Sequence, residues 1–247
     1  MRKFGLIGYP LSHSFSKKFF TDKFRTEQIH DCAYELYPIA DINMFEELIS
    51  AEKDLVGINV TIPYKVQVIP FLDEMDEASA EIGAVNCIHI TRENAMKHLK
   101  GYNTDAYGFE ASLIPLLKAQ HTKALVFGDG GAAKAVKYVL NKLNIPFLTV
   151  SRNPQQNHLS YPEVTPELLQ EYTLLINTTP LGMSPNTESS PEIPYSAMSD
   201  KHLAYDLVYN PEETTFLKNA LKSGAAVKNG MEMLYLQAER SWFIWNN

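Results

Sequence analysis

Residues 124–136 read ALVFGDGGAAKAV. A short apolar run meets a glycine turn, and small and apolar residues at helical spacing follow. Gly128, Gly130 and Ala133 fit the pattern G-x-G-x-x-G/A. The first glycine permits a sharp turn, the second removes the Cβ that would meet a pyrophosphate, and the small third residue lets helix and strand pack closely. The start of such a helix offers unpaired N–H groups and a partial positive charge to an anion. The bare glycine pattern is a weak signal. The strand before it and the helix after it supply the context it requires, and together they favour a dinucleotide site over a tight structural turn.

Working outward, strand-type and helix-type segments alternate, the pattern of an α/β protein. Strands are expected at 3–8, 32–38, 55–60, 84–90, 123–128, 146–151, 173–178, 202–208 and 225–229. Several are continuous apolar runs, as parallel strands covered on both faces should be. Helices are expected at 14–24, at 41–51 with Ile42, Phe45, Leu48 and Ile49 on one stripe, and at 130–143. Another, at 212–224, buries Phe216, Leu217, Ala220 and Leu221 and stops at Gly224. A last amphipathic helix carries Met233, Leu234, Leu236, Trp242, Phe243 and Trp245, mostly as core. The chain should break into two domains near KGYNTDA (100–106), with a helix from about Thr104 crossing between them. The expected division is an N-terminal α/β substrate domain, 1–103 with the terminal helix 230–247 returning to it, and a Rossmann-type domain, 104–229.

The strand after the glycine loop ends in LTVSRN, where Arg152 lies 152 − 128 = 24 residues beyond Gly128. An NAD site usually places a carboxylate near this strand end to bind the ribose. Here Ser151, Arg152 and Asn153 stand there instead. A guanidinium pairs with a phosphate that a carboxylate would repel, so NADP is preferred over NAD. The bland alternative is a solvated surface arginine.

The 247 residues carry 22 Lys and Arg against 29 Asp and Glu, a net charge of −7. That balance argues against a nucleic-acid surface. The two cysteines, Cys32 and Cys87, have no C-x-x-C spacing, and the seven histidines, among them the lone His13, show no metal-ligand spacing, so no metal is expected. No apolar run approaches the ~18 residues of a membrane span, and the start lacks a secretory signal. A cytoplasmic protein is the expectation.

Four polar clusters fall at expected strand ends or helix starts: SHSFS (12–16), NVTIPYK (59–65), GAVNC (83–87) and YNTDAYG (102–108). Ligands of open α/β sheets collect at the carboxyl ends of strands. Ser14 and Ser16 can donate to a carboxylate, and Thr61 and Asn86 can read hydroxyls. Lys65 and Asp105 are a cation and an anion able to exchange protons. Each also has an ordinary structural role open to it: Ser14 as a helix cap, Asn86 in a turn, Asp105 in a first helical turn. Their joint presence beside a dinucleotide loop favours the functional reading.

Taken together, GYPLSHSFS, NVTIPYK, GAVNC, NTDAYG, GDGGAAKAV, SRN, NTTPLGM, YDLVYNPEETTFL and GMEMLYLQA run in order through nearly the whole chain. This set resembles the shikimate dehydrogenases, which reduce 3-dehydroshikimate with NADPH. The resemblance implies that Ser14, Ser16, Thr61, Asn86, Tyr209 and Gln237 hold substrate, with Lys65 and Asp105 at the reacting oxygen. It implies that Gly128, Asp129, Gly130, Gly131 and Ala132 cradle the pyrophosphate and that Ser151, Arg152 and Asn153 surround the 2′-phosphate. Leu207, Gly230 and the NTTPLGM loop would line the nicotinamide side. The chain departs from the family pattern at Gln156, where a second basic residue is common, at Asp129 inside the glycine loop and at Glu232. The prolines at 154, 162 and 166 should also shorten the usual helix between 154 and 171.

Hydride addition to a ketone leaves negative charge on its oxygen, which a donor must stabilise and protonate. Lys65 can do both and Asp105 can orient it. The rivals are an NAD-using quinate/shikimate dehydrogenase, against which Arg152 and the Ser14/Ser16 pair lean, and a nucleotide-sensing protein without catalysis, which would have no use for the Lys65/Asp105 pair. A monomer or homodimer acting on a small molecule is expected.

Overall fold

The computed structural model describes residues 1–11, 14–94 and 96–247. Ser12 and His13 of the SHSFS cluster lie outside the described residues. The chain separates into two compact units, 1–104 with 237–247 and 105–236.

In the first unit the strands are β1 (Arg2–Gly8), β2 (Cys32–Pro38), β3 (Leu55–Val60), β4 (Glu74–Met75), β5 (Cys87–Glu93) and β6 (Met96–Tyr102). Its helices are α1 (Phe15–Thr26), α2 (Phe45–Ala51) and α3 (Glu77–Ile82). The sheet order is β2-β1-β3-β5-β6-β4. β1 pairs in parallel with β2 and β3, as crossover helices require, and then β3, β5 and β6 pair antiparallel. The expected strand at 84–90 is displaced to Cys87–Glu93, and a hairpin through Asn94 at φ 50 leads into β6. That hairpin was hidden because Thr91, Arg92 and Glu93 are exposed and polar, so the apolar run ends before the strand does.

The second unit holds β7 (Ala124–Phe127), β8 (Phe147–Val150), β9 (His158–Leu159), β10 (Leu174–Asn177), β11 (Leu203–Asp206) and β12 (Ala226–Lys228). Its helices are α5 (Gly131–Lys142), α6 (Pro166–Glu171) and α7 (Thr215–Lys222). The helix α4 (Thr104–Leu113) begins at the division between the units, and α8 (Met231–Trp245) runs through it. The second sheet is parallel throughout, in the order β12-β11-β10-β7-β8-β9. Numbered from β7, this is the 3-2-1-4-5-6 doubly wound order, which reverses between β7 and β10. β7, β10 and β11 are buried at every position, which explains their unbroken apolar sequences. The region 154–171 has only a two-residue strand, a 3-10 turn at Tyr161–Glu163 and the six-residue α6.

Two expected core faces need correction. α7 buries Phe216, Leu217 and Ala220, but Leu221 falls past the edge of that arc and is 53% exposed. In α8, Met233 and Trp245 are buried whereas Phe243 is 52% exposed and stacks under the Arg240 guanidinium. The core of the first unit includes an aromatic group of Phe4, Phe20, Phe24, Tyr34 and Trp245. Trp245 stacks on Phe4 with centroids 4.9 Å apart and donates its indole N–H to the Ile88 carbonyl at 3.0 Å. Gly57 in β3 makes room for it, because a Cβ there would overlap the indole. Gly57→Ala should therefore destabilise the first unit by about 1–3 kcal/mol through overpacking. In a Trp245→Ala background it should cost far less, so urea unfolding of the four-member cycle should give a coupling of about 1 kcal/mol or more. Additive effects would show that the two positions do not share this space.

Candidate active site

The glycine loop lies where the strand order of the second unit reverses. Gly128 has φ +102, and a Cβ there would come within 2.7 Å of Thr178 Oγ1 at the end of β10. Its N–H donates to the Val150 carbonyl at 2.8 Å, and Thr178 N–H donates to the Phe127 carbonyl at 2.9 Å. The ends of β7, β8 and β10 are thus tied together, and a cleft of about 560 Å³ opens beside them. Gly128, Asp129, Gly130, Ser151, Arg152 and Asn153 line it, joined by the loop from Thr178 to Ser189.

This cleft suits the phosphates of a dinucleotide. Gly130 caps α5 without a side-chain hydrogen bond, so no side chain of the cap occupies the first N–H groups of the helix. A Cβ on Gly130 or Gly131 would meet nothing within 4 Å, so open space fronts the helix start. Among the described residues the buried Ser151 hydroxyl has no hydrogen-bond partner, while Arg152 and Asn153 are exposed at the same strand end. Gly131 and Ala132 form the first turn of α5. Leu207 and Gly230 meet each other: Gly230 N–H donates to the Val208 carbonyl at 3.1 Å, and any Cβ on Gly230 would overlap the Leu207 carbonyl. They are not among the residues lining the cleft. Tyr209 is half-buried in the same segment, and burial pushes its phenol above the ordinary value.

In the first unit a buried polar network joins several of the residues singled out above. Asn86 Oδ1 accepts from the Thr104 N–H at 2.6 Å and the Thr104 hydroxyl at 3.2 Å. Thr104 Oγ1 also lies 3.2 Å from Ser241 Oγ and 3.5 Å from Gln237 Oε1. Asn59 donates to Ser241 Oγ at 3.0 Å and to the Asn86 carbonyl at 3.2 Å, and accepts from the Tyr34 hydroxyl at 2.8 Å. Burial holds the Tyr34 phenol well above its ordinary value, and a hydrogen bond with Ser16 works against that. Ser16, Asn86 and Gln237 are therefore brought together through Tyr34, Asn59, Thr104 and Ser241. Ser14 caps α1, accepting from the Lys17 N–H at 3.3 Å, and its own proton can still be donated. Thr61 ends β3 with its N–H on the Ile7 carbonyl at 3.0 Å. The half-buried Lys65 follows, its carbonyl accepting from Val85 N–H at 2.7 Å. Asp105 is buried in the first turn of α4.

Neither cysteine is suited to nucleophilic chemistry, because burial pushes Cys87 up to about 12 and Cys32 up to about 11. Among the described residues no group of His, Cys, Asp and Glu could hold a metal ion, and no helix is long and apolar enough to cross a membrane.

The profile of the shikimate dehydrogenase substrate binding domain matches residues 6–88. A shikimate dehydrogenase (NADP(+)) of Staphylococcus aureus is 35% identical over 99% of this chain and 92% of its own. The chain belongs to the shikimate dehydrogenase family. Among solved structures, a chorismate mutase/shikimate 5-dehydrogenase fusion protein from Clostridium acetobutylicum superimposes with a TM-score of 0.86 at 36% identity, covering 100% of this chain and 91% of that one. Shikimate 5-dehydrogenase from Thermus thermophilus, in complex with NADP(H) and shikimate, gives 0.85 at 28% identity, covering 99% and 93%.

One residue that the reading of the sequence did not single out supports this shikimate dehydrogenase scaffold. Asp206, at the end of β11, is fully buried. Its Oδ1 accepts from Asn177 Nδ2 at 2.9 Å and from Val208 N–H at 3.0 Å, and its Oδ2 from the Thr214 hydroxyl at 2.6 Å. The carboxyl thus ties the end of β10, the turn through Leu207 and the cap of α7. Only its place at the end of an apolar strand could have marked it. Burial pushes it up to about 6 from an ordinary 3.8, with these donors pulling the other way. A raised carboxyl pKa stabilises the fold at low pH, and that contribution is lost as pH rises from about 4 through 6, to the extent of ~3 kcal/mol. Asp206→Asn should remove this loss. Urea midpoints measured at pH 4.5 and 7.5 should fall further with rising pH in the parent than in the variant, and equal changes would refute the assignment.

Proposed function

We propose that Lys65 and Asp105 handle the proton at the reacting oxygen when the chain reduces 3-dehydroshikimate to shikimate. The reaction is the reversible NADPH-dependent step of aromatic amino-acid biosynthesis, and the chain is an oxidoreductase of that kind. NADPH, when bound, supplies the hydride. The Lys65 ammonium stabilises the charge that develops on the ketone oxygen and gives up a proton to it, and Asp105 orients the ammonium and accepts from the neighbouring hydroxyl. Ser14 and Ser16 donate to the substrate carboxylate. Thr61, Asn86, Tyr209 and Gln237 read its hydroxyls. With Oδ1 of Asn86 engaged by Thr104, the amide nitrogen is the part of that side chain that would face a ligand.

Gly128 to Ala132 take the pyrophosphate, Ser151, Arg152 and Asn153 the 2′-phosphate, and Leu207, Gly230 and the loop after Asn177 the nicotinamide side. Residues 1–103 with 230–247 serve as the substrate half and 104–229 as the dinucleotide half. One observation carries the cofactor side: an uncapped helix start behind open space, with a guanidinium and an unpartnered hydroxyl at the next strand end. On this reading the chain works in the cytoplasm as a monomer or homodimer, on a small anionic substrate and without nucleic acid or membrane.

Following NADPH absorbance with 3-dehydroshikimate tests it. Lys65→Ala and Asp105→Ala should each lower kcat by about 10²–10⁴ with an unchanged circular dichroism spectrum. Near-normal turnover in either variant would remove that residue from the chemistry. Arg152→Ala should narrow the preference for NADPH over NADH by about tenfold, the scale of one charge-assisted contact. A preference that survives intact would place the phosphate elsewhere.

A further inference from the structure

The cleft holds a charge that its proposed ligand does not explain. Asp129, between the two glycines of the loop, lines it together with Ser151, Arg152 and Asn153. Its carboxylate is about a third exposed. Among the described residues its partners are both basic or protonatable: Oδ1 pairs with the Lys137 ammonium of α5, and Oδ2 lies 3.9 Å from His158 Nδ1 on β9. Among the described residues the side-chain hydrogen bond of Asp129 goes to Lys137 and not to an N–H of its own loop. Among the described residues the buried His158 Nδ1 has no hydrogen-bond partner, and Asp129 Oδ2 approaches it to 3.9 Å.

A carboxylate beside bound phosphates repels them, and a carboxylate beside a ribose accepts from its hydroxyls. The strand end after β8 lacks the acid that usually makes the second contact. Asp129 brings one to the same cleft from the loop before α5. It also draws Lys137 onto itself, which withholds a cation from any phosphate. Both effects weaken phosphate binding, and charges separated by a few ångströms at a protein surface act strongly enough to be measured.

We propose that Asp129 is a specificity-determining residue of this cleft: paired with Lys137 and flanked by His158, it offsets part of the attraction of Arg152 for a 2′-phosphate and admits the unphosphorylated dinucleotide. This rests on the dinucleotide reading of the cleft given above. The parent chain then binds NADH with an affinity within about one to two decades of that for NADPH, set by two opposed charges and not by Arg152 alone.

Isothermal titration with NADPH, NADH, 2′,5′-ADP and 5′-AMP tests the proposal by binding, independently of turnover. Asp129→Ala should tighten NADPH and 2′,5′-ADP by about five- to tenfold and leave NADH and 5′-AMP unchanged or weaker. The near-isosteric Asp129→Asn should move the ratio in the same direction. Lys137→Ala, which leaves the carboxylate unbalanced, should weaken NADPH and 2′,5′-ADP by a similar factor. Thermal melting checks that each variant is folded. If the parent binds neither dinucleotide, the reading of the cleft itself fails. If it binds them and the NADPH/NADH ratio stays within twofold in both Asp129 variants, or shifts towards NADH, the role of Asp129 is overturned while the cleft stands.

Discussion

Gly128 is the position on which the second unit turns. Its backbone sits at φ +102 against Thr178, where a side chain would collide with the neighbouring loop. That close approach lets the first and fourth strands of a doubly wound sheet end side by side with their connections leaving in opposite directions. The cleft at the reversal, the open helix start and the convergence of Arg152 with the Thr178 loop all follow from that one steric permission. The parallel ladder behind it, buried at every position of β7, β10 and β11, holds those strand ends in register.

The first unit depends on a different constraint, polar satisfaction in a buried place. Asn59, Asn86, Thr104 and Ser241 are all nearly inaccessible, and each would be costly if left unpaired. They satisfy one another in a single connected set that includes the start of α4 and the body of α8. Such a set works only when complete, so it fixes Asn86 and the residue preceding Asp105 more rigidly than apolar packing would. The aromatic group around Trp245 supplies the neighbouring apolar anchor, with Gly57 vacated to receive the indole.

The two units therefore treat charge and polarity in contrasting ways. The first unit buries neutral amides and hydroxyls and carries Lys65 in the turn after β3. The second unit places opposite charges, Asp129 and Arg152, along one cleft, and buries the Asp206 carboxyl at the end of β11. Burial pushes the Asp206 carboxyl up to about 6, against the pull of its donors Thr214, Val208 and Asn177.

The sequence by itself determined the α/β class, the glycine loop, the apolar strands of the second unit and the basic strand end at Arg152. These are local properties, in which a turn, a cap or an unbroken apolar run needs only its immediate neighbours in the chain. It missed the β5–β6 hairpin, because exposed strand residues carry no apolar period, and it counted Leu221 of α7 as buried, because an apolar residue can sit just off the buried arc. The tertiary structure decided the rest. Tyr34 and Asn59 are 25 positions apart, and Asn59 and Ser241 are 182 apart, yet they share one network. Asp129 acquires Lys137 from the next helix and His158 from a strand of two residues. Hydrogen bonds and ion pairs between distant segments leave no periodicity to read, since only folding brings their atoms within reach.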